Sequence, residues 1–399
     1  SRTLQFVFIK ATLDLFKDAR INIEHSISKG TFGEIHKEKA LDEEDILKIK
    51  KKMQEIINKN IIIEKIKMPK KEAIDIFKSY KMQDKVDLLH WVQEDYVNLY
   101  KLEDRYDYFY GDMAYSTGIL KYFDLLYYNP GFILMVPSHK EPTVVPVFKE
   151  QKKLFNVFRE NETWLNILGT PDVGSLDYKL EGEESKDIIR VSEALHEKKI
   201  AQIADMISER KEVKIVLVAG PSSSGKTTFS KRLSIQLRVN GYIPIAISLD
   251  DYFINRIHTP LDKEGKPDFE SINALDLELF NKNLYDILEG EEVEIPSYNF
   301  KIGEREWLGN KIKLPDNGVL VIEGIHGLNP KLTEKIPSKN KFKVYISALT
   351  QLNLDNHNRI PTTDVRKIRR IVRDSLSRGY GAEQTLEMWN SIKRGEKNV

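Results

Sequence analysis

The chain has 399 residues, 41% hydrophobic and 31% charged, with 62 Lys plus Arg against 61 Asp plus Glu. That length suits two or three domains, the composition excludes a disordered chain, and the charge balance gives no bulk reason for a nucleic-acid or membrane partner. There is no cysteine, which excludes disulfides and thiolate zinc sites and suits a reducing cytoplasm, the expected location.

The first residue is Ser1, so the numbering is expected to begin inside a longer protein. The opening TLQFVFIKATLDLF carries Lys10 and Asp14 and no cleavage pattern, so it reads as a strand or helix of a domain core. No apolar stretch approaches membrane-spanning length. Residues 40–60 form an amphipathic helix with Ile46, Ile49, Met53, Ile56 and Ile57 as its stripe and Asp42 as a candidate cap. Helices follow near 71–80 and 82–92. Residues 105–136 are rich in aromatics and read as strands and a core rather than a base-stacking surface, because Arg and Lys are not interleaved among them. Gly, Pro and acidic clusters over 160–187 suggest an ordered connector, followed by a long helix over 188–210. From Val213 strands and helices alternate: strands at 213–219, 242–249, 318–322 and 342–347, helices after Thr228, at 275–288 and at 363–378. This predicts an α/β protein whose parallel sheet is flanked by helices, preceded by an α+β domain. The expected domains are 1–160, a connector at 161–212, and 213–399.

Gly220-Pro221-Ser222-Ser223-Ser224-Gly225-Lys226-Thr227 spells G-x-x-x-x-G-K-[ST] between a buried-type strand and a helix, with Thr228 next. A P-loop in this context offers backbone N–H groups and a helix N-terminus to a polyphosphate. Lys226 would reach the β- and γ-phosphates of ATP, and the Thr227 hydroxyl would ligate Mg²⁺. Asp250 and Glu323 close strands at the end where α/β sheets bind ligands. Asp250 is assigned the base role and Glu323 the metal role. Arg366, Arg370 and Arg373 share a helix face at i, i+4 and i+7, with Arg378 beyond, and arginines there can offset phosphoryl charge.

Residues 213 to about 395 resemble the uridine kinase and phosphoribulokinase family in GPSSSGKTT, SLDDYF, PDFESINALD, IPSYNF, VIEGIH and RRIVRDSLSRGYGAEQ. The resemblance implies a P-loop kinase that uses ATP and Mg²⁺ and phosphorylates a small-molecule hydroxyl. It implies that Asp250 is the base on a nucleoside 5′-hydroxyl. Phe253 and Tyr298 would line the nucleoside pocket, and Glu270 would contact the ribose where the family usually has Asp. Arg370, Arg373 and Arg378 match arginines of the substrate and lid region. The family's pyrimidine-reading histidine has no counterpart near Gly303, and VIEGIHG with His326 is also close to phosphoribulokinases. A nucleoside and a sugar phosphate therefore both stand as acceptors.

Residues 20–136 resemble the editing-associated domain of threonyl-tRNA synthetases in EHSISKG, the helix at 40–60, KKEAIDIF and GDMAYSTGILKYFDLL. That family's site carries H-x-x-x-H on a helix plus a Cys and His at i, i+4. Here the pairs read His25 with Lys29 and Phe109 with Met113, so metal binding and deacylation by that route are not expected. Such a domain could bind a ligand, shape the kinase pocket or build a homo-oligomer. A tRNA-binding module switched by nucleotide is the reading from another class, against which the near-neutral charge argues. Proteins with this combination carry a further small domain ahead and a final strand after the lid helix, so a fragment is expected.

Overall fold

The computed structural model describes residues 1–395 apart from 183, 263, 264, 266, 350, 351, 378 and 380. The chain divides into two compact units, Ser1–Ile188 with Thr350–Pro361, and Ile189–Leu349 with Thr362–Val399.

In the first unit the opening segment is helix α1 (Arg2–Leu15), with every residue from Thr3 to Thr12 buried. β1 (Arg20–Ile27) and β2 (Gly30–His36) form a hairpin, and α2 (Glu43–Asn58) follows. The Asp42 carboxylate accepts from the Asp45 N–H and satisfies one orphan donor of α2. The predicted apolar stripe of α2 packs with α1 in one core. Next come β3 (Glu64–Pro69), α3 (Lys70–Ser79), α4 (Gln83–Trp91), β4 (Tyr96–Leu102) and β5 (Arg105–Asp107). β3, β4 and β5 make a three-stranded antiparallel sheet. β6 (Asp124–Tyr128) and β7 (Gly131–Met135) complete a second antiparallel sheet in the order β1-β2-β7-β6.

One expectation needs correcting here. Within 105–136 the aromatics do not all serve a core: Tyr110, Tyr115 and Tyr122 stand outside the strands and are exposed. The ordered connector expected over 160–187 is mostly helical. α5 (Lys152–Leu168) stops at Gly169, whose φ of 64° suits the left-handed stop, and Asp172 caps α6 (Val173–Glu181) through a capping box. His25 lies on β1, not on a helix, and its ring stacks on Phe158 of α5 at 3.7 Å.

α7 (Ser185–Glu209) leads into the second unit. There β8 (Ile215–Ala219) is followed by α8 (Lys226–Val239), β9 (Ile243–Ser248) and α9 (Leu277–Leu288). Short strands β10 (Val293–Glu294), β11 (Ser297–Asn299), β12 (Glu304–Glu306) and β13 (Lys311–Ile312) pair as β10–β13 and β11–β12. β14 (Gly318–Glu323) and β15 (Lys341–Tyr345) finish an all-parallel sheet in the order β15-β8-β14-β9. β8 is buried throughout, as its continuous apolar run requires of a central parallel strand.

β16 (Asn353–Asp355) and β17 (Asn358–Arg359) then belong to the first unit, before α10 (Thr362–Ser377) and α11 (Ala382–Gly395) return to the second. A fully buried ion network holds this excursion in the first unit. Lys85 Nζ lies 3.0 Å from carboxylate oxygens of both Asp107 and Asp355, and His357 Nδ1 is 2.8 Å from Asp107. Burial works against the Lys85 charge, but the two aspartates outweigh it and hold its pKa above the usual lysine range.

Replacing Lys85 by Met strands two buried carboxylates, so Lys85→Met is expected to cost ~3–5 kcal/mol of unfolding free energy in denaturant titration. His25 supplies a second test. Burial, then Arg359 and Arg159, push its pKa down from 6.5 to about 3, so the unfolded chain binds the proton that the folded one refuses. Stability from this residue is complete above pH 6.5 and falls as the pH drops toward 3, by up to about 1.4 kcal/mol per pH unit. His25→Phe should show a smaller acid loss than the wild-type chain when unfolding is followed at pH 7.5 and about 4.5.

Candidate active site

The loop between β8 and α8 is built for close approach. A Cβ on Gly220 would strike the carbonyl oxygen of Ile346. Gly225 takes φ 99° at the N-cap of α8, a left-handed backbone that L side chains resist. The loop thus turns tightly into the helix N-terminus, where unpaired N–H groups and the helix dipole can meet an anion. Lys226, the first residue of α8, points back over the loop, its ammonium 3.4 Å from the Pro221 carbonyl oxygen. Burial lowers its pKa, while Glu323, Asp250 and Glu270 act in the opposite sense. These three carboxylates therefore share one neighbourhood with the lysine.

Register explains part of that meeting. Glu323 ends β14 opposite Val218 of β8 and Ser248 of β9, which sets it at the carboxyl edge beside the loop. The Thr227 hydroxyl donates to Glu323 Oε1 at 2.8 Å. A hydroxyl and a carboxylate oxygen meeting at this edge are the hard donors that suit Mg²⁺. Asp250 sits in the turn directly after β9, exposed to solvent. Its neighbour Asp251 accepts from the Tyr298 backbone N–H at 3.4 Å and so ties the β9 turn to β11.

Glu270 is only partly exposed, and its Oε2 is buried without a hydrogen-bond partner. Burial pushes its pKa up to about 7, against the pull of Arg370 and Lys226. Phe269, next to this acid in sequence, leads into an aromatic wall: its ring lies 5.8 Å from that of Phe253, Phe253 and Tyr298 are buried with centroids 5.5 Å apart, and Phe300 lies 4.9 Å from Tyr298. The Tyr298 hydroxyl is buried, and burial raises its pKa against the pull of Arg256. His326 is buried as well, and burial lowers its pKa against the backbone of Glu270 and Ser271 and the charge of Asp268.

The basic helix α10 lies against the loop itself. Arg366 Nε donates to the Ser222 carbonyl oxygen at 3.0 Å, Arg369 Nε to that of Ser223 at 3.1 Å, and an Arg370 NH group to the Ser222 hydroxyl at 2.7 Å. Arg373 instead holds the buried Asp374 at 2.7 and 2.9 Å, and Arg370 Nε lies 3.2 Å from the same carboxylate.

Gly220 to Thr228, Asp250, Glu270, Glu323 and Arg370 thus gather around Lys226, with Phe253 and Tyr298 alongside. Arg373 is on α10 but turned to Asp374, and Arg378 lies outside the described residues. The sequence reading missed Arg369, whose spacing of three from Arg366 puts it on the same helix face. It also missed Asp374, which orients two of the arginines. On its own, the i, i+4, i+7 pattern pointed to a wider face than the one that meets the loop.

Comparison with known proteins bears on this half of the chain. Residues 215–398 match the model of the Phosphoribulokinase / Uridine kinase family. The uridine kinase of Macrococcus caseolyticus is 29% identical over 185 residues, spanning 46% of this chain and 80% of that protein. The uridine kinase of Anoxybacillus flavithermus is 26% identical over 189 residues, spanning 47% and 80%. A solved D-glycerate 3-kinase from Cryptococcus neoformans aligns with a TM-score of 0.37 at 16% identity, covering 50% of this chain and 87% of that one. Residues 215–398 are thus similar to the kinases of that family.

Proposed function

We propose that the second unit transfers the γ-phosphoryl group of ATP to a hydroxyl of a small molecule, with the 5′-hydroxyl of a nucleoside as the favoured acceptor. The observation that carries this reading is the gathering of Lys226, Asp250, Glu270 and the Thr227–Glu323 pair at one sheet edge, beside an aromatic wall.

In this reading the N–H groups of the loop and of the first turn of α8 cradle the triphosphate. Lys226 sets its charge against the β- and γ-phosphates, and Thr227 and Glu323 hold Mg²⁺. Bound Mg²⁺ neutralises negative charge on the phosphate oxygens. Asp250 orients the acceptor hydroxyl and takes its proton as the new O–P bond forms. Arg370, which reaches the loop at Ser222, offsets charge near the moving phosphoryl group. Phe253 and Tyr298 stack against a planar base, and Glu270 binds a sugar hydroxyl. The aromatic wall favours a nucleoside over a sugar phosphate, which would need cations in its place.

We read the first unit as an editing-type domain without that family's four-residue site. Phe109, one of the four compared positions, is buried with its ring 5.3 Å from that of Phe6, a packing partner and not a ligand.

Lys226→Ala and Asp250→Asn are each expected to lower kcat/KM for nucleoside phosphorylation by at least about a hundredfold, with the thermal unfolding profile kept. Normal turnover in Asp250→Asn would remove the base assignment. Phosphorylation of ribulose 5-phosphate in preference to any nucleoside would replace the acceptor.

A further inference from the structure

The turn inside the phosphate loop puts a serine where the backbone favours glycine. The Ser224 N–H donates to the Pro221 carbonyl oxygen at 3.2 Å and closes a four-residue turn from Pro221 to Ser224. Ser223, its third residue, has φ 61°. Turns with a positive φ at that position take Gly or Asn in preference, because a Cβ crowds the backbone there. The serine side chain does not compensate: its hydroxyl oxygen is buried with no hydrogen-bond partner among the described residues.

Support comes from α10. Arg369 donates through Nε to the Ser223 carbonyl oxygen at 3.1 Å, and its guanidinium comes within 3.6 Å of where a Cβ on Gly225 would stand. The Ser223 carbonyl and the Ser224 N–H are the two ends of one planar peptide unit. Arg369 therefore grips one end of that unit and the Pro221 carbonyl the other. The same Pro221 oxygen lies 3.4 Å from Lys226 Nζ, so the pinned peptide is linked to the lysine. Arg366 and Arg370 are buried and reach the loop at Ser222 instead. Arg369 is exposed, so its hydrogen bond rather than burial keeps it on the loop, and a charged donor makes one of the stronger bonds a carbonyl can accept.

We infer that Arg369 is a positioning residue for the nucleotide. It holds Ser223 in the left-handed backbone, so that the N–H groups farther along the loop and in the first turn of α8 stay aimed at one anion. The inference rests on the phosphotransfer reading, in which that anion is a phosphate group of ATP. Arg369 acts through the loop and not on the phosphate.

Titration calorimetry of a non-hydrolysable ATP analogue with Mg²⁺ into the full chain tests this, as a double-mutant cycle. Arg369→Met is expected to weaken binding about tenfold in the wild-type loop. In a chain that carries Ser223→Gly the same substitution is expected to weaken it by less than about threefold, because glycine takes the left-handed backbone without help. The melting temperature shows that each variant is folded, which the exposed position of Arg369 favours. An arginine in direct contact with a phosphate would cost the same factor in both backgrounds. That result, or an affinity unchanged by Arg369→Met in the wild-type loop, would overturn the inference and leave the phosphotransfer reading standing. No binding of the analogue by the wild-type chain would overturn both.

Discussion

Lys226 holds its positive charge partly out of water, against three carboxylates. A lysine ammonium taken partly out of water costs free energy unless opposite charge is close. Here Glu323, Asp250 and Glu270 supply that charge, and each arrives from a different part of the sequence. β14 brings Glu323, the turn after β9 brings Asp250, and the segment before α9 brings Glu270. The parallel order β15-β8-β14-β9 makes their meeting possible, because all four strands end on the same edge. Helix α10 adds the counterweight, with arginines bonded to the carbonyl oxygens of the loop that carries the lysine. In the proposed reaction the charges of a polyphosphate would take the place of those internal partners.

The first unit obeys a different rule. β16 and β17 come from far along the chain and are fixed by charges with no access to water. Such a network is a poor source of net stability but a strong source of specificity, because leaving any member unpaired is costly. Lys85 bridges Asp107 and Asp355, His357 meets Asp107, and Asn358 donates to Asp355. That selectivity accounts for how a short two-stranded excursion keeps one position within the unit.

Local signals in the sequence were legible. The strand, glycine loop and helix at 213–239 follow from residues next to one another, as does the stripe and cap of α2. Strand ends were legible as well, so Asp250 and Glu323 could be placed before any coordinates. The excursion at 350–361 was not, because its partners lie about 250 residues away in the sequence and no short pattern marks a buried lysine. Helix phase was legible only in part. Arg366 and Arg370 were foreseen on one face, but Arg369 joins them and Arg373 leaves for Asp374, an outcome decided by packing. α5 and α6 were missed because Gly169, Pro171 and the acids around them look like punctuation, when they are the stop of one helix and the cap of the next.

The most direct measurement is phosphorus NMR of the full chain with ATP, Mg²⁺ and a panel of nucleosides and sugar phosphates. The account predicts a new phosphomonoester resonance with a nucleoside, growing in step with ADP. ATP that stays intact with every acceptor, or that yields only inorganic phosphate, would contradict it.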